Sequence, residues 1–133
     1  MRIAYLTLAA ALLPGLPVAA QTAGTPAAKA CPGETQSALN QCAADSYRDA
    51  DAALNATYRR LTARLAGDPA RSLVEAQRAW IHFRDAECDY YTIGYEGGSI
   101  RPMLAGQCLE RMTRQRTAEL ENHIRCLSIE GGC

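Results

Sequence analysis

The sequence predicts an all-α fold, a small antiparallel three-helix bundle stapled by disulfides with a Gly/Tyr-rich loop between helices 2 and 3. Three observations carry this. Apolar residues recur at helical spacing over most of the chain. No segment shows the two-residue alternation of a half-buried strand. Six cysteines fall in a chain of 133 residues, an even count of the kind that marks a small exported disulfide scaffold.

Residues 1–20 read as a cleavable signal peptide. Arg2 gives a minimal positive start, Ile3 to Leu13 is an apolar run of eleven, and Val18-Ala19-Ala20 fits the small-residue cleavage pattern. The run is shorter than the ~20 residues that span a bilayer. Cys31 lies well past it, behind Lys29-Ala30, so no lipid-attachment pattern is present and no membrane anchor is expected. Residues 21–30, QTAGTPAAKA, are small and nearly uncharged and read as a disordered leader. The helical domain then occupies 31–133. Removing Arg2 from the 14 basic residues leaves 13 against 14 acidic ones, a net charge of −1. A nucleic-acid partner usually requires a clear basic excess, and there is none.

Helix 1 is the most strongly marked. Leu39, Ala43, Tyr47, Ala50, Leu54, Tyr58, Leu61 and Leu65 follow one another at steps of 4, 4, 3, 4, 4, 3 and 4, a single stripe. Gly67-Asp68-Pro69 ends it, Gly suiting the position after a helix and Pro the first turn of the next. Helix 2 is expected from Pro69 or Ser72 to Tyr90 or Tyr91, Ser72 to Glu75 forming a capping box. Its predicted inner rows are Leu73, Ala76, Trp80 and Phe83, and Val74, Ile81 and Cys88. Helix 3 is expected from Pro102 to Cys126 or Leu127, with Leu104, Cys108, Met112, Leu120, Ile124 and Leu127 inward.

In that topology Cys42, Cys88 and Cys108 share one end, which Cys31 also reaches, and Cys126 lies at the other beside Cys133. The leading pairing is Cys31–Cys42, Cys88–Cys108 and Cys126–Cys133; the main alternative exchanges partners among the first four. Zinc is disfavoured: there is no CxxC pair, and His82 and His123 lack ligand spacing. No metal or cofactor is expected.

Polar residues fall on or beside the apolar stripes: Asp51 and Asn55 in helix 1, Gln77 and Arg84 in helix 2, Thr113 and Arg116 in helix 3. Counting turns from the cysteines brings Asp51 level with Arg116. A buried polar layer built on an Asp51–Arg116 pair, with Arg84 nearby, is therefore predicted, because an inward guanidinium needs a partner. A register-setting layer is favoured over a catalytic one. No nucleophile elbow, HExxH, phosphate loop or Cys-His arrangement is present, and the chain does not read as an enzyme.

The segments ADAALNATYRRL (50–61), LVEAQRAWIHFRDAEC (73–88), GGS (97–99) and CLERMTRQRTAEL (108–120) carry a resemblance. In this order and spacing the chain resembles the lysozyme-inhibitor LprI-type N-terminal domain family over about residues 31–126. The matching positions include Asp51, Asn55, Gln77, Trp80, Arg84, Cys88, Gly97, Gly98, Ser99, Cys108, Thr113 and Arg116. The resemblance implies an exported, periplasmic or secreted helical domain whose partner is a lysozyme-type muramidase. Blocking of its cleft would fall to the loop YYTIGYEGGSIRPM, residues 90–103. Tyr90, Tyr91 and Tyr95 would supply flat anchors, Gly97 and Gly98 close backbone approach, Ser99 a hydroxyl, and Arg101 a partner for a cleft carboxylate. The bland alternative makes the loop a plain turn, with Ser99 capping helix 3. The alternative function is a cell-envelope module that binds peptidoglycan without inhibiting anything.

Overall fold

The computed structural model describes residues 31–33 and 35–129. The expected signal peptide and leader, and Cys133, lie outside the described residues. Three long helices account for nearly all the rest: α1 (Gln36–Thr62), α2 (Gly67–Thr92) and α3 (Arg101–Cys126). A short 3-10 turn, Ile93–Tyr95, follows α2. Among the described residues there is no strand.

α1 starts three residues before its apolar stripe does, because Thr35 caps it: the hydroxyl oxygen accepts the Ala38 N–H at 3.2 Å. Residues 63–66 turn the chain over, and Gly67 takes φ +62°, a conformation glycine adopts without Cβ strain. α2 then runs unbroken through Ser72, so the Ser72–Glu75 capping box starts nothing. α3 begins with Pro102 in its first turn, its N-cap is Ile100, and no side chain caps it. Ser99 therefore does not cap α3.

α1 and α3 run parallel and close together, and α2 lies antiparallel across them. The α1–α3 seam is built from small residues. A Cβ on Gly106 would sit 3.1 Å from the carbonyl carbon of Ala43. Ala43 of α1 meets Gly106 of α3, Thr57 meets Glu121 further along, and Ser46 and Ala50 between them are buried. Small side chains let the backbones approach, which is why Ala and Gly here are packing residues and not fillers. At the end away from the loop the seam opens into the apolar core: Leu54, Leu61, Leu73, Leu120 and Ile124, with Tyr58, Leu65 and Trp80 against them.

Two disulfides staple the loop end, Cys31–Cys42 and Cys88–Cys108. The exchange of partners among those four cysteines is thereby excluded. Cys126 is also disulfide-bonded, and the expected partner Cys133 lies outside the described residues.

The inward face of α2 differs from the predicted rows. Leu73, Gln77, Arg84, Cys88 and Thr92 are buried and Trp80 is half-buried, whereas Ala76, Ile81 and Phe83 are exposed. Hydrophobicity alone placed Phe83 inside. The Cys88–Cys108 bridge rotates α2 so that the polar row carrying Gln77 and Arg84 faces in, and Phe83 faces out.

Candidate functional site

All but Asn55 of the polar residues singled out from sequence gather in the middle of the bundle, around a stack of rings and guanidinium groups. The Arg84 guanidinium carbon lies 5.4 Å from the Tyr47 ring centre and 5.3 Å from that of Trp80. Arg116 covers Trp80 at 5.8 Å. A cation over an aromatic face is attracted by the ring quadrupole, more so when desolvated, and Arg84 is only 6% exposed.

The predicted Asp51–Arg116 pair is not made. Arg84 takes Asp51 instead, at 3.8 Å, and donates to Asp85 at 2.9 Å and to the Thr113 hydroxyl at 3.5 Å. Arg116 donates to the Gln77 amide oxygen at 3.1 Å and to Glu119 at 3.0 Å. The predicted level was nearly right, but the rotation of α1 about its axis was not. The real register sets Ala43 against Gly106, and Asp51 then sits on the side of α1 that faces α2. Asn55 is exposed and donates to Asp51 at 2.8 Å, outside the layer. Burial raises the Tyr47 phenol above its ordinary range, against the pull of Arg84.

Three further polar contacts were missed. Thr57 donates to Glu121 at 2.8 Å, and Arg60 donates to the same oxygen at 2.6 Å; the Thr57 bond first, then Arg60, holds the carboxyl below its usual range. Glu110 is buried and accepts from Arg114 at 2.9 Å. A signal was available: Gly106, Glu110, Thr113, Thr117, Leu120 and Ile124 form one stripe at steps of 4, 3, 4, 3 and 4. Its polar members hide it from a search for apolar periodicity.

The loop closes the opposite end from the apolar core. It is pinned at its base by Cys88–Cys108 and by Thr92, fully buried, whose hydroxyl donates to the Cys88 carbonyl at 2.9 Å. Asn40 of α1 donates to the Ser99 carbonyl at 3.0 Å. Internally, Gly98 N–H donates to the Tyr95 carbonyl at 2.9 Å and Arg101 N–H to the Gly98 carbonyl at 3.2 Å. Gly97 takes φ +75°, and a Cβ on Gly98 would press on the Tyr95 carbonyl at 3.1 Å. Both glycines are thus needed by the turn itself.

Above this frame Tyr91, Tyr95, Gly97, Gly98 and Ser99 are all exposed. Tyr90 and Ile93 are more exposed still, at 74% and 64%. Arg101 is placed differently. Its Nε is buried without a hydrogen-bond partner, and its outer nitrogen turns back toward Asp89 at 3.9 Å.

A disulfide-stapled helical domain that holds a ring of aromatic side chains out on a pinned loop is the class this geometry defines. The chain matches the model of the family described as lysozyme inhibitor LprI over residues 27–120, and it belongs to that family. It is also 43% identical over 100 residues to a protein of Rhizobium meliloti (strain 1021) described only as uncharacterised; the match covers 65% of this chain and 72% of the relative. No solved structure matches it significantly. Among the described residues no helix is long and apolar enough to cross a membrane, and the disulfides fit an oxidising compartment.

Proposed function

We propose that this protein is an exported inhibitor of a lysozyme-type muramidase and that the pinned loop of residues 90–103 makes the contact. The observation that carries the reading is the pairing of a rigid base with exposed rings. Large aromatic groups held in water by a disulfide frame are costly as mere surface and typical as binding anchors. A loop ordered beforehand also avoids about 0.5–1.5 kcal/mol of ordering cost per immobilised side chain on binding. Membership of the LprI family supplies the partner class.

In this reading Tyr91 and Tyr95 are the anchors. Gly97, Gly98 and Ser99 shape the tip, and the free face of the turn offers backbone groups. Arg101, partly exposed and held only by a long contact to Asp89 at 3.9 Å, is the cation of the loop that can pair with a cleft carboxylate.

The test is lysis of bacterial cell walls by c-, g- and i-type lysozymes with and without the oxidised protein. A Tyr91→Ala/Tyr95→Ala variant runs alongside, its fold checked by circular dichroism. Inhibition of at least one type, lost in the folded variant, is expected. Inhibition that survives in the variant would move the contact elsewhere on the bundle, and no inhibition of any type would end the inhibitor reading.

A further inference from the structure

The inner face of α2 mixes apolar Leu73 and Cys88 with polar Gln77, Arg84 and Thr92, yet its outer face carries apolar residues. Its inner face packs against α1 and α3, which leaves the outer face to water, where an amphipathic helix normally carries polar residues. Here the outer face reads Ala79, Phe83, Ala86, Tyr90 and Ile93, at steps of 4, 3, 4 and 3. All five are exposed, Phe83 at 57%. Scattered apolar side chains on a surface need no account, but a row in helical register is a different matter. The row covers 14 steps along the chain, about 21 Å at 1.5 Å per residue, and its last member, Ile93, already lies in the 3-10 turn that begins the aromatic loop.

The residues around its loop end are acidic. Glu87 lies between Phe83 and Tyr90 on the helix, Asp89 and Glu96 beside Tyr90 and Tyr95. Glu87 and Glu96 enter no ion pair among the described residues, and Asp89 has only the long contact to Arg101. Of the basic groups nearby, Arg101 is partly exposed with only that long contact, and Arg111 on α3 is exposed beside Phe83 and Glu87 with a nitrogen 3.9 Å from the Cys108 sulfur, so the three acidic groups outnumber them. Arg78 lies more than a turn below Phe83. The near-neutral total charge conceals this local excess, because most arginines sit on α1 and α3.

Resting on the reading of the loop end as the binding end, we infer that the contact extends down α2 to Phe83 and takes a cationic protein face. The partner's Arg and Lys side chains lie over exposed tyrosine rings and pair with Glu87, Asp89 and Glu96. The inhibitor then also covers a basic surface beside the partner's cleft. A second copy of this chain is a poor occupant, since it would set one acidic rim against another.

The experiment is binding of the oxidised protein to whichever lysozyme it inhibits, by surface plasmon resonance from low to high NaCl. Two variants are compared, Phe83→Ser and Glu87→Gln/Asp89→Asn/Glu96→Gln. Both leave the buried residues untouched, and an unchanged melting temperature checks that. Phe83→Ser is expected to weaken binding by about 10-fold or more. The neutralised variant should associate about 10-fold more slowly at low salt and lose most of the salt dependence.

Unaltered affinity in Phe83→Ser, or an unchanged salt dependence in the neutralised variant, would overturn this inference while leaving inhibition by the loop intact. Absence of binding to every lysozyme type would overturn the functional reading and this inference together. Phe83-dependent dimerisation, or Phe83-dependent binding to isolated peptidoglycan in place of lysozyme, would assign the row to another occupant and overturn it too.

Discussion

Arg84 is the residue whose removal says most about how the bundle is held. Its side chain is nearly buried, yet its acidic partners are not: the side chains of Asp51 and Asp85 are 42% and 53% exposed. Truncation of one partner of a fully buried ion pair strands a charge and costs about 3–5 kcal/mol. Here the carboxylates can turn to water, so that penalty does not arise. What Arg84→Ala loses is packing and stacking. Two ring contacts at 5.3 and 5.4 Å contribute about 0.5–1 kcal/mol each. The emptied stem adds about 1–2 kcal/mol of cavity and lost burial. The half-exposed ion pairs add about 0.5 kcal/mol. The expected loss is about 3 kcal/mol. Arg84→Met refills the stem and should recover most of it, leaving a deficit of about 1 kcal/mol. Urea unfolding of the oxidised proteins, followed by circular dichroism at neutral pH, measures both. Equal losses in the two variants would refute the reasoning, since charge and not packing would then dominate. A loss below about 1 kcal/mol in Arg84→Ala would show that the ring stack contributes little.

The α1–α3 seam has no room at Gly106, where the atoms met by a new Cβ are the backbone of Ala43. Gly106→Val should therefore lower stability by about 2–3 kcal/mol, despite the better helix propensity. Gly94→Ala, with nothing within 4 Å, should change it by no more than about 0.5 kcal/mol; denaturant midpoints compare the two. The depressed carboxyl of Glu121 predicts a pH effect with a definite sign. The unfolded chain takes up the proton first, near the ordinary 4.5, so the contribution is present above that pH and is lost as pH falls through the lower folded value. Thermal melts from pH 7 down to pH 2 should show a shallower acid decline in Glu121→Gln than in the parent protein.

The α1 stripe was legible in full: every residue from Leu39 to Leu65 at those steps is buried or half-buried. That helix packs on both neighbours and can tolerate few polar residues along its face, so periodicity reports its burial faithfully. On α2 the sequence pattern put Leu73, Gln77, Arg84 and Cys88 inward, as the structure does, but it failed on Ile81 and Phe83. Phe83 and Ile81 carry the hydrophobicity, yet Gln77 and Arg84 face inward because the rings of Tyr47 and Trp80 and the oxygens of Thr113 and Asp51 receive the guanidinium there. A periodicity argument ranks residues one at a time and has no entry for a partner on another helix. The Asp51–Arg116 pairing failed for a related reason. Level can be counted along one helix, but rotation of each helix about its own axis cannot.

By itself, then, the sequence determined the helical class, the order of the helices, the place of the loop and the family. Those follow from local spacing, from Gly and Pro at turns, and from motif order. Only the tertiary structure decided which side of α2 faces out, how closely α1 and α3 approach, and that Phe83, Tyr90 and Ile93 stand in water. These depend on contacts between residues far apart in the chain, 20 residues apart for the Cys88–Cys108 bridge and 63 for Ala43 and Gly106. No local pattern encodes them.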